Sequence, residues 1–378
     1  NKNKTFVKVV HSNADFALSF YKLVASEATD QNIFFSPISI STSLAMLALG
    51  AKSVTLTQIL EGLAFNLKKT QDQEIHEGFC QLLHMLNRSD SDLHLSLGNT
   101  LFIEETLKPL QKFLDDAKSF YQSEVLSADF NNSSGAENQI NSYIEEKTNG
   151  KIVKLVENLD PLTAMVLVNY VFFKGKWLYP FNSEFTEIET FHINKYRSVQ
   201  VPMMFKSDKV NSTYDENLRC NVIKLPYKGK AYMLIVIPEK GEDYVSLEDH
   251  LTMELVESWL ANMKSRNMDI SFPKFKLEQK YKMKKLLYAL GIKNLFARTA
   301  DLSHLTDQKH LTVSQVVQKA VIEVDEKGTE AAAATGSEII AFSVPPVLKV
   351  DRPFLFMIFE ETFKTLLFIG RVVDPTET

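Results

Sequence analysis

Residues 326–346 read EKGTEAAAATGSEIIAFSVPP. A charged turn opens the stretch, four alanines follow, and two prolines close it. Alanine is the strongest helix former, so propensity alone reads a helix here. The flanks disagree. SQVVQKAVIEVD (314–325) is β-branched and alternating, as a strand is, and neither helix nor strand continues through Pro345–Pro346.

If the segment is extended, its side chains alternate between two faces. One face carries Thr329, Ala331, Ala333, Thr335, Ser337 and Ile339. The other carries Glu330, Ala332, Ala334, Gly336, Glu338 and Ile340. Both glutamates share a face, and the opposite face is small and uncharged through its first half. A strand that slides between existing strands needs that pattern, because large inward residues block it and a charged one is buried unpaired. Gly328 and Thr329 then form the hinge, with Glu326 in the turn ahead of them. An exposed alanine-rich helix or a loose loop fits this stretch equally well.

Outward from there, the chain is helical early and strand-rich late. Apolar residues at helical spacing mark 13–28, 36–53, 55–65, 74–86, 107–121 and 135–148 as helices. In the second, Ser36 before Pro37 marks the start and Gly50 the end. From Met165 onward, MVLVNYVFF, NVIKLPY, YMLIVIPE, VIEVDE, FLFMIFEE and TLLFIGRVV read as strands. Helical intervals are expected at 251–265 and 280–291. This order predicts an α+β fold with mixed or antiparallel sheets. The 378 residues show no linker, repeat or low-complexity tract, so a single domain over 1–378 is expected.

Composition is that of a globular chain, 45% hydrophobic and 24% charged, with a net charge of -5. That balance argues against a general nucleic-acid binder. No apolar run is long enough to span a bilayer. NKNKTFVKVV lacks the apolar core of a signal peptide, so an exported form has already lost its leader. Sequons at Asn3, Asn87, Asn131, Asn132 and Asn211 point to a secreted, extracellular glycoprotein. Cys80 and Cys220 read as free thiols, because a chain of this size needs no disulfide to hold its core.

No catalytic signature is present: HExxH, the Walker A loop, GxSxG and GxGxxG are all missing. Histidines 11, 76, 84, 94, 192, 250, 304 and 310 are scattered, which suits packing or surface roles better than metal ligation. Ser36, Ser39 and Ser41 sit at a helix start, where capping and close packing explain them. EVDEKGTE lacks the spacing of a calcium loop. The expectation is therefore a non-enzyme with no catalytic residues, no metal and no required cofactor.

These residues also carry a family resemblance. EKGTEAAAATG with FSVPP, RPFLFMIFEE and LLFIGRVVDPT is similar to the hinge, reactive loop and C-terminus of the serpins. NIFFSPISISTSLAMLALGA resembles the family's shutter helix. VNYVFFKGKW resembles its third central strand with the breach tryptophan, Trp177. HLTVSQVVQKAVIEVDEKGTEA resembles the strand leading into the loop. The resemblance covers essentially the whole chain. Its N-terminal half is similar to the α1-antitrypsin and kallistatin branch of plasma serpins, and its C-terminal part to the protein Z-dependent inhibitor branch.

The resemblance implies helices packed around three β-sheets, with a reactive-centre loop at about 327–346. It implies a monomeric suicide-substrate inhibitor of chymotrypsin-fold serine proteases, cut at Phe342–Ser343. The cleaved loop then inserts into the central sheet, a recognised form of strand addition. An aromatic at the cut bond favours an apolar primary pocket, as in chymotrypsin-like enzymes, kallikrein or factor Xa. The alternative within the family is a carrier of a hormone-like small ligand. The resemblance places Ser36, Ser39, Asn169 and Gln318 in the shutter, with glutamine where most members have histidine. Asp301 and His250 would face a cofactor protein, protein Z. Lys280, Lys282, Lys284 and Lys285, expected in one helical stretch, form with Lys264 and Arg266 a candidate heparin site.

Overall fold

The computed structural model describes residues 2–88, 92–328 and 344–378. The N-terminal helices are α1 (Lys2–Glu27), α2 (Pro37–Ala48), α3 (Ser53–Gly62), α4 (Asp72–Leu86), α5 (Gln111–Tyr121) and α6 (Ser133–Lys147). Three short ones follow later: α7 (Tyr244–His250), α8 (Met253–Ala261) and α9 (Lys284–Ala289). The first strands are β1 (Ile33–Phe35), β2 (Leu95–Glu104), β3 (Glu124–Ala128), β4 (Met165–Phe173) and β5 (Glu187–His192). Next come β6 (Ser198–Asp215), β7 (Cys220–Tyr227), β8 (Ala231–Pro238), β9 (Lys264–Pro273) and β10 (Phe275–Lys282). The last are β11 (Gln315–Val324), β12 (Val347–Lys349), β13 (Phe354–Glu360) and β14 (Thr365–Val372).

A five-stranded sheet has the order β10-β11-β4-β2-β3, and a nine-stranded network runs β1-β14-β13-β8-β7-β6-β9-β12 with β5 on β6. The second network merges two of the three expected sheets. The 18-residue β6 causes this: it pairs with β5 near its start, β9 through its middle and β7 at its end.

The five-stranded sheet is covered on both faces. Leu101, Leu167, Val316 and Ala320 face the main core, which also holds α2 and the nine-stranded network. Phe102, Val168, Tyr170 and Val321 face α6 and the segment around Leu155. Burial on both faces hides the strand alternation of LSLGNTLFIE, so β2 was not expected from its sequence. Helix α2 is buried over its full length, with the Ser36 hydroxyl accepting from the Ser39 N–H at 3.3 Å as its N-cap.

Two helical expectations are corrected. The interval 251–265 ends as a helix at Ala261, and Lys264 already belongs to β9. Lys280 and Lys282 lie on β10, and only Lys284 and Lys285 are helical. Tertiary pairing overrides helix propensity there, because β10 runs antiparallel to β11 along its whole length.

Between α4 and α5, the buried His76 ring shares a hydrogen bond at Nδ1 with the Tyr121 hydroxyl 2.5 Å away. Burial lowers the ring's pKa from 6.5 to about 4, against a weaker opposing pull from Asp116. The unfolded chain therefore binds a proton below pH 6.5 that the folded one refuses until about pH 4. Stability from this site is complete above pH 6.5, is lost as pH falls towards 4, and falls no further below that. The full loss is about 3 kcal/mol. Urea midpoints measured from pH 7 to 4 should fall over that window, and His76→Gln should flatten the slope. An unchanged slope in the variant would remove His76 as its source.

Candidate functional site

The candidate site is a seam. β11 and β4 are neighbours and parallel, from Gln315 opposite Val166 to Ile322 opposite Phe173. No strand lies between them. β10 is antiparallel to β11 and β2 antiparallel to β4, so at the sheet's centre a parallel pair lies between two antiparallel ones, and the edge pair β2–β3 is parallel as well. A segment that follows β11 through a tight turn can return only antiparallel. Inserted in the seam, it would be antiparallel to both neighbours, the slightly stronger pairing.

Halfway along, α2 and its N-cap bond to both strands of the seam. The Gln318 amide makes two bonds to the Ser36 main chain: Ser36 N–H donates to Oε1 at 3.0 Å, and Nε2 donates to Ser36 C=O at 3.1 Å. Directly opposite on β4, Asn169 Oδ1 accepts from the Ser39 hydroxyl at 3.1 Å, and its Nδ2 donates to Ser43 Oγ at 2.9 Å. Gln318, Asn169, Ser36, Ser39 and Ser43 are all buried. The four shutter residues expected from the sequence are thus brought together, and Ser43 joins them. Glutamine does by hydrogen bonding alone what a histidine would do with a titratable ring, so this latch carries no charge change near neutral pH.

At the upper end of the seam lies the breach. The Trp177 indole stacks on Tyr227 with ring centres 4.4 Å apart, and its Nε1 donates to the Asp325 carbonyl at 2.8 Å. The Trp177 N–H donates to the Lys327 carbonyl, and the Phe181 N–H to that of Glu326. Gly328 bridges to Trp177, and a Cβ there would sit 2.5 Å from the Trp177 carbonyl oxygen. Close approach of the two backbones therefore requires glycine at the hinge.

The Glu326 carboxylate accepts from the Thr186 hydroxyl at 2.7 Å and pairs with Lys274 at 3.1 Å. Burial opposes its charge, but these two partners hold its pKa below the ordinary value. Lys174, just past β4, spans the seam to Glu323 and Asp325 at 3.5 and 3.3 Å. Lys206 lies nearly buried beside the breach, donating to the Tyr179 carbonyl at 2.8 Å over the Phe181 ring. Burial lowers its pKa to about 8. Thr186, Lys206 and Lys274 carry no sequence signal, since each meets its partner only through tertiary pairing.

The described chain breaks off at Gly328 and resumes at Val344, which is exposed. Thr329, Ala331, Ala333, Thr335, Ser337, Ile339, Phe342 and Ser343 lie outside the described residues. The resumed chain enters β12, parallel to β9 at one edge of the nine-stranded network.

The remaining candidates are dispersed. Lys264 and Arg266 are exposed on β9, whereas Lys280 and Lys282 lie on β10 of the other sheet. Lys280 is half-buried and faces Glu157 at 4.0 Å, Lys284 lies over the Phe296 ring, and Lys285 pairs with Glu27 at 3.2 Å. Asp301 accepts from the Ser303 N–H beside the start of α3, and hydrogen bonding from the Ser303 hydroxyl, then from its N–H, lowers the carboxyl pKa. His250 ends α7, its Nδ1 against the Ser246 carbonyl. No hydrogen bond or ion pair joins Asp301 to His250 among the described residues.

Asn87, Asn131, Asn132 and Asn211 are exposed, and Asn3 lies in the first turn of α1. Asn132 also caps α6 through its side chain. Cys80 and Cys220 are free thiols. Among the described residues no helix is long and apolar enough to cross a membrane.

Residues 11–375 match the family model described as Serpin (serine protease inhibitor). The chain belongs to the serpin family. This serpin is 47% identical over 371 residues to human protein Z-dependent protease inhibitor, covering 98% of this chain and 83% of that one. The crystal structure of the mouse protein Z-dependent protease inhibitor superposes with a TM-score of 0.92 at 42% identity, covering 99% and 100% of the two chains. Human thyroxine-binding globulin complexed with its ligand superposes equally well, at 40% identity over 98% and 99%. Serpin relatives thus include named protease inhibitors and a named carrier.

Proposed function

We propose that this serpin is a secreted plasma glycoprotein that inhibits a chymotrypsin-fold serine protease as a suicide substrate. The observation that carries the reading is the closed parallel seam between β4 and β11, with a glycine-only hinge at its upper end. It adjoins a segment whose inward residues are small and neutral. Cleavage would occur at Phe342–Ser343 with the protease's own serine acylated. The segment from Thr329 would then enter the seam as a sixth strand and carry the protease with it. Phenylalanine at the cut bond selects enzymes with a deep apolar primary pocket, such as chymotrypsin-like proteases, kallikrein or factor Xa.

Heparin-like chains and protein Z are candidate activators. The 47% identity to a protein Z-dependent inhibitor supports protein Z, with Asp301 as the matching contact, while His250 stands where that inhibitor's aromatic partner is expected and counts against it. The lysines support a heparin site less well, because they divide between two sheets. Charge reversal at Lys284 and Lys285 that leaves heparin retention unchanged would remove that site.

The thyroxine-bound neighbour supports a second reading, a carrier of a hormone-like ligand. Incubation with chymotrypsin separates the two. An inhibitor gives an SDS-stable complex at the summed mass, whereas a carrier is merely cut in its loop. Cleavage without adduct against chymotrypsin, cathepsin G, tissue kallikrein and factor Xa, the last with and without protein Z, would overturn the inhibitor reading.

A further inference from the structure

Asn99 lies on β2 directly opposite Asn169 on β4, and both side chains reach towards α2. Asn99 is 7% exposed, and its Nδ2 donates to Thr42 Oγ1 at 3.1 Å. Its Oδ1 is fully buried and meets no protein donor. Buried amide oxygens are rarely left so, and such a group calls for a physical reason. Across the strand pair, both polar atoms of Asn169 are committed to α2 through Ser39 and Ser43.

The geometry points to Asn99 as a positioning residue for strand insertion: its free Oδ1 receives the Asn169 amide when β4 parts from α2. This rests on the loop-insertion reading above. A strand needs about 4.8 Å of lateral room, more than the bonds from Asn169 to Ser39 and Ser43 can stretch. Those two bonds break when β4 moves sideways. β2 moves with β4, because the two are paired from Leu95–Phe173 to Ile103–Met165. The Asn99–Asn169 pairing therefore survives the step that removes α2. Directly opposed residues hold their Cβ atoms about 5 Å apart, within reach of one amide-to-amide hydrogen bond. Without Asn99 Oδ1, the moving sheet would carry an unpaired buried N–H through the opening step. The acceptor that meets no protein donor in the closed sheet is the one the opening sheet needs.

The test is annealing of a labelled synthetic peptide of residues 329–342 into the intact protein, with no protease present. Asn99→Leu removes the acceptor and keeps the bulk, and it should anneal roughly tenfold more slowly than wild type. Thr42→Val loosens α2 from Asn99 while sparing the acceptor, and should anneal no more slowly. Asn99→Leu annealing as fast as wild type overturns the assignment while leaving loop insertion intact. Wild type taking up no peptide overturns both. If Asn99→Leu does not fold, a crystal structure of the wild-type peptide complex decides. Asn169 Nδ2 within about 3.2 Å of Asn99 Oδ1 supports the transfer. Asn169 still on Ser43, or a buried water on Asn99 in its place, refutes it.

Discussion

Thr329→Arg is expected to convert the inhibitor into a substrate. Thr329 is the first residue of the small, neutral face, and follows Gly328, which bridges to Trp177 beyond the end of β11. For the sixth strand to form, this side chain must enter the sheet on the core side at the top of the seam. The core there is built from Phe173, Trp177, Ile322 and Val324, all buried. An arginine would enter it unpaired, costing several kcal/mol, and each 1.4 kcal/mol shifts the competition between insertion and hydrolysis tenfold. Covalent complex should fall by at least about a hundredfold, while the rate of cutting at Phe342–Ser343 stays as in the parent. Stoichiometry of inhibition and SDS gels read both quantities from one mixture. Inhibition equal to the parent's would show that Thr329 faces outward.

Arg371→Met is expected to be the most destabilising single change outside the loop. Arg371 on β14 and Glu248 on α7 are both almost fully buried and pair through Nη1, which lies 3.0 Å from each carboxylate oxygen. The guanidinium also donates to the Gln31 carbonyl at 2.9 Å and to that of Ala28, and it lies over the Tyr244 ring. Burial, then the Glu248 carboxylate, raises the pKa of the Tyr21 hydroxyl, which stays protonated and donates to Glu248. One arginine thus joins α1, α7 and β14. Removing it leaves a buried carboxylate with no counter-charge and only the Tyr21 hydroxyl as donor, a loss of about 3–5 kcal/mol. The double variant Arg371→Met/Glu248→Leu should recover part of that, since no lone charge remains. Urea midpoints of the wild type, the single and the double variant test this. A double variant no better than the single would mean packing, rather than the orphaned charge, sets the cost.

Much of the site was legible because its residues are consecutive. The Ser36-Pro37 start of α2, the strand character of 165–173 and 314–325, and the small face beyond Gly328 are local patterns, and periodicity reads local patterns. Ser36, Ser39, Asn169 and Gln318 came as a set from the family resemblance, and the structure brings them into contact. What stayed illegible depends on partners far away in the chain. Glu326 reads as a turn residue until Thr186 and Lys274 enclose it. His76 reads as one more scattered histidine until α5 places Tyr121 against it. The lysines of 280–285 read as one helical patch until β11 draws the first two into a sheet.

The amino-acid order alone determined that this is an α+β chain of the serpin kind, with phenylalanine at the expected cut bond and an inward face clear of charge. Those properties are written in alternation, spacing and residue size. Tertiary structure alone decided that β4 and β11 are direct neighbours, that α2 bonds both of them, and that Asn99, one strand away on β2, carries an acceptor that meets no protein donor. Ser36 and Gln318 are 282 positions apart, and their contact depends on which strands pair and in what register. Register is set by burial on both faces of the sheet at once, and no single segment carries that information.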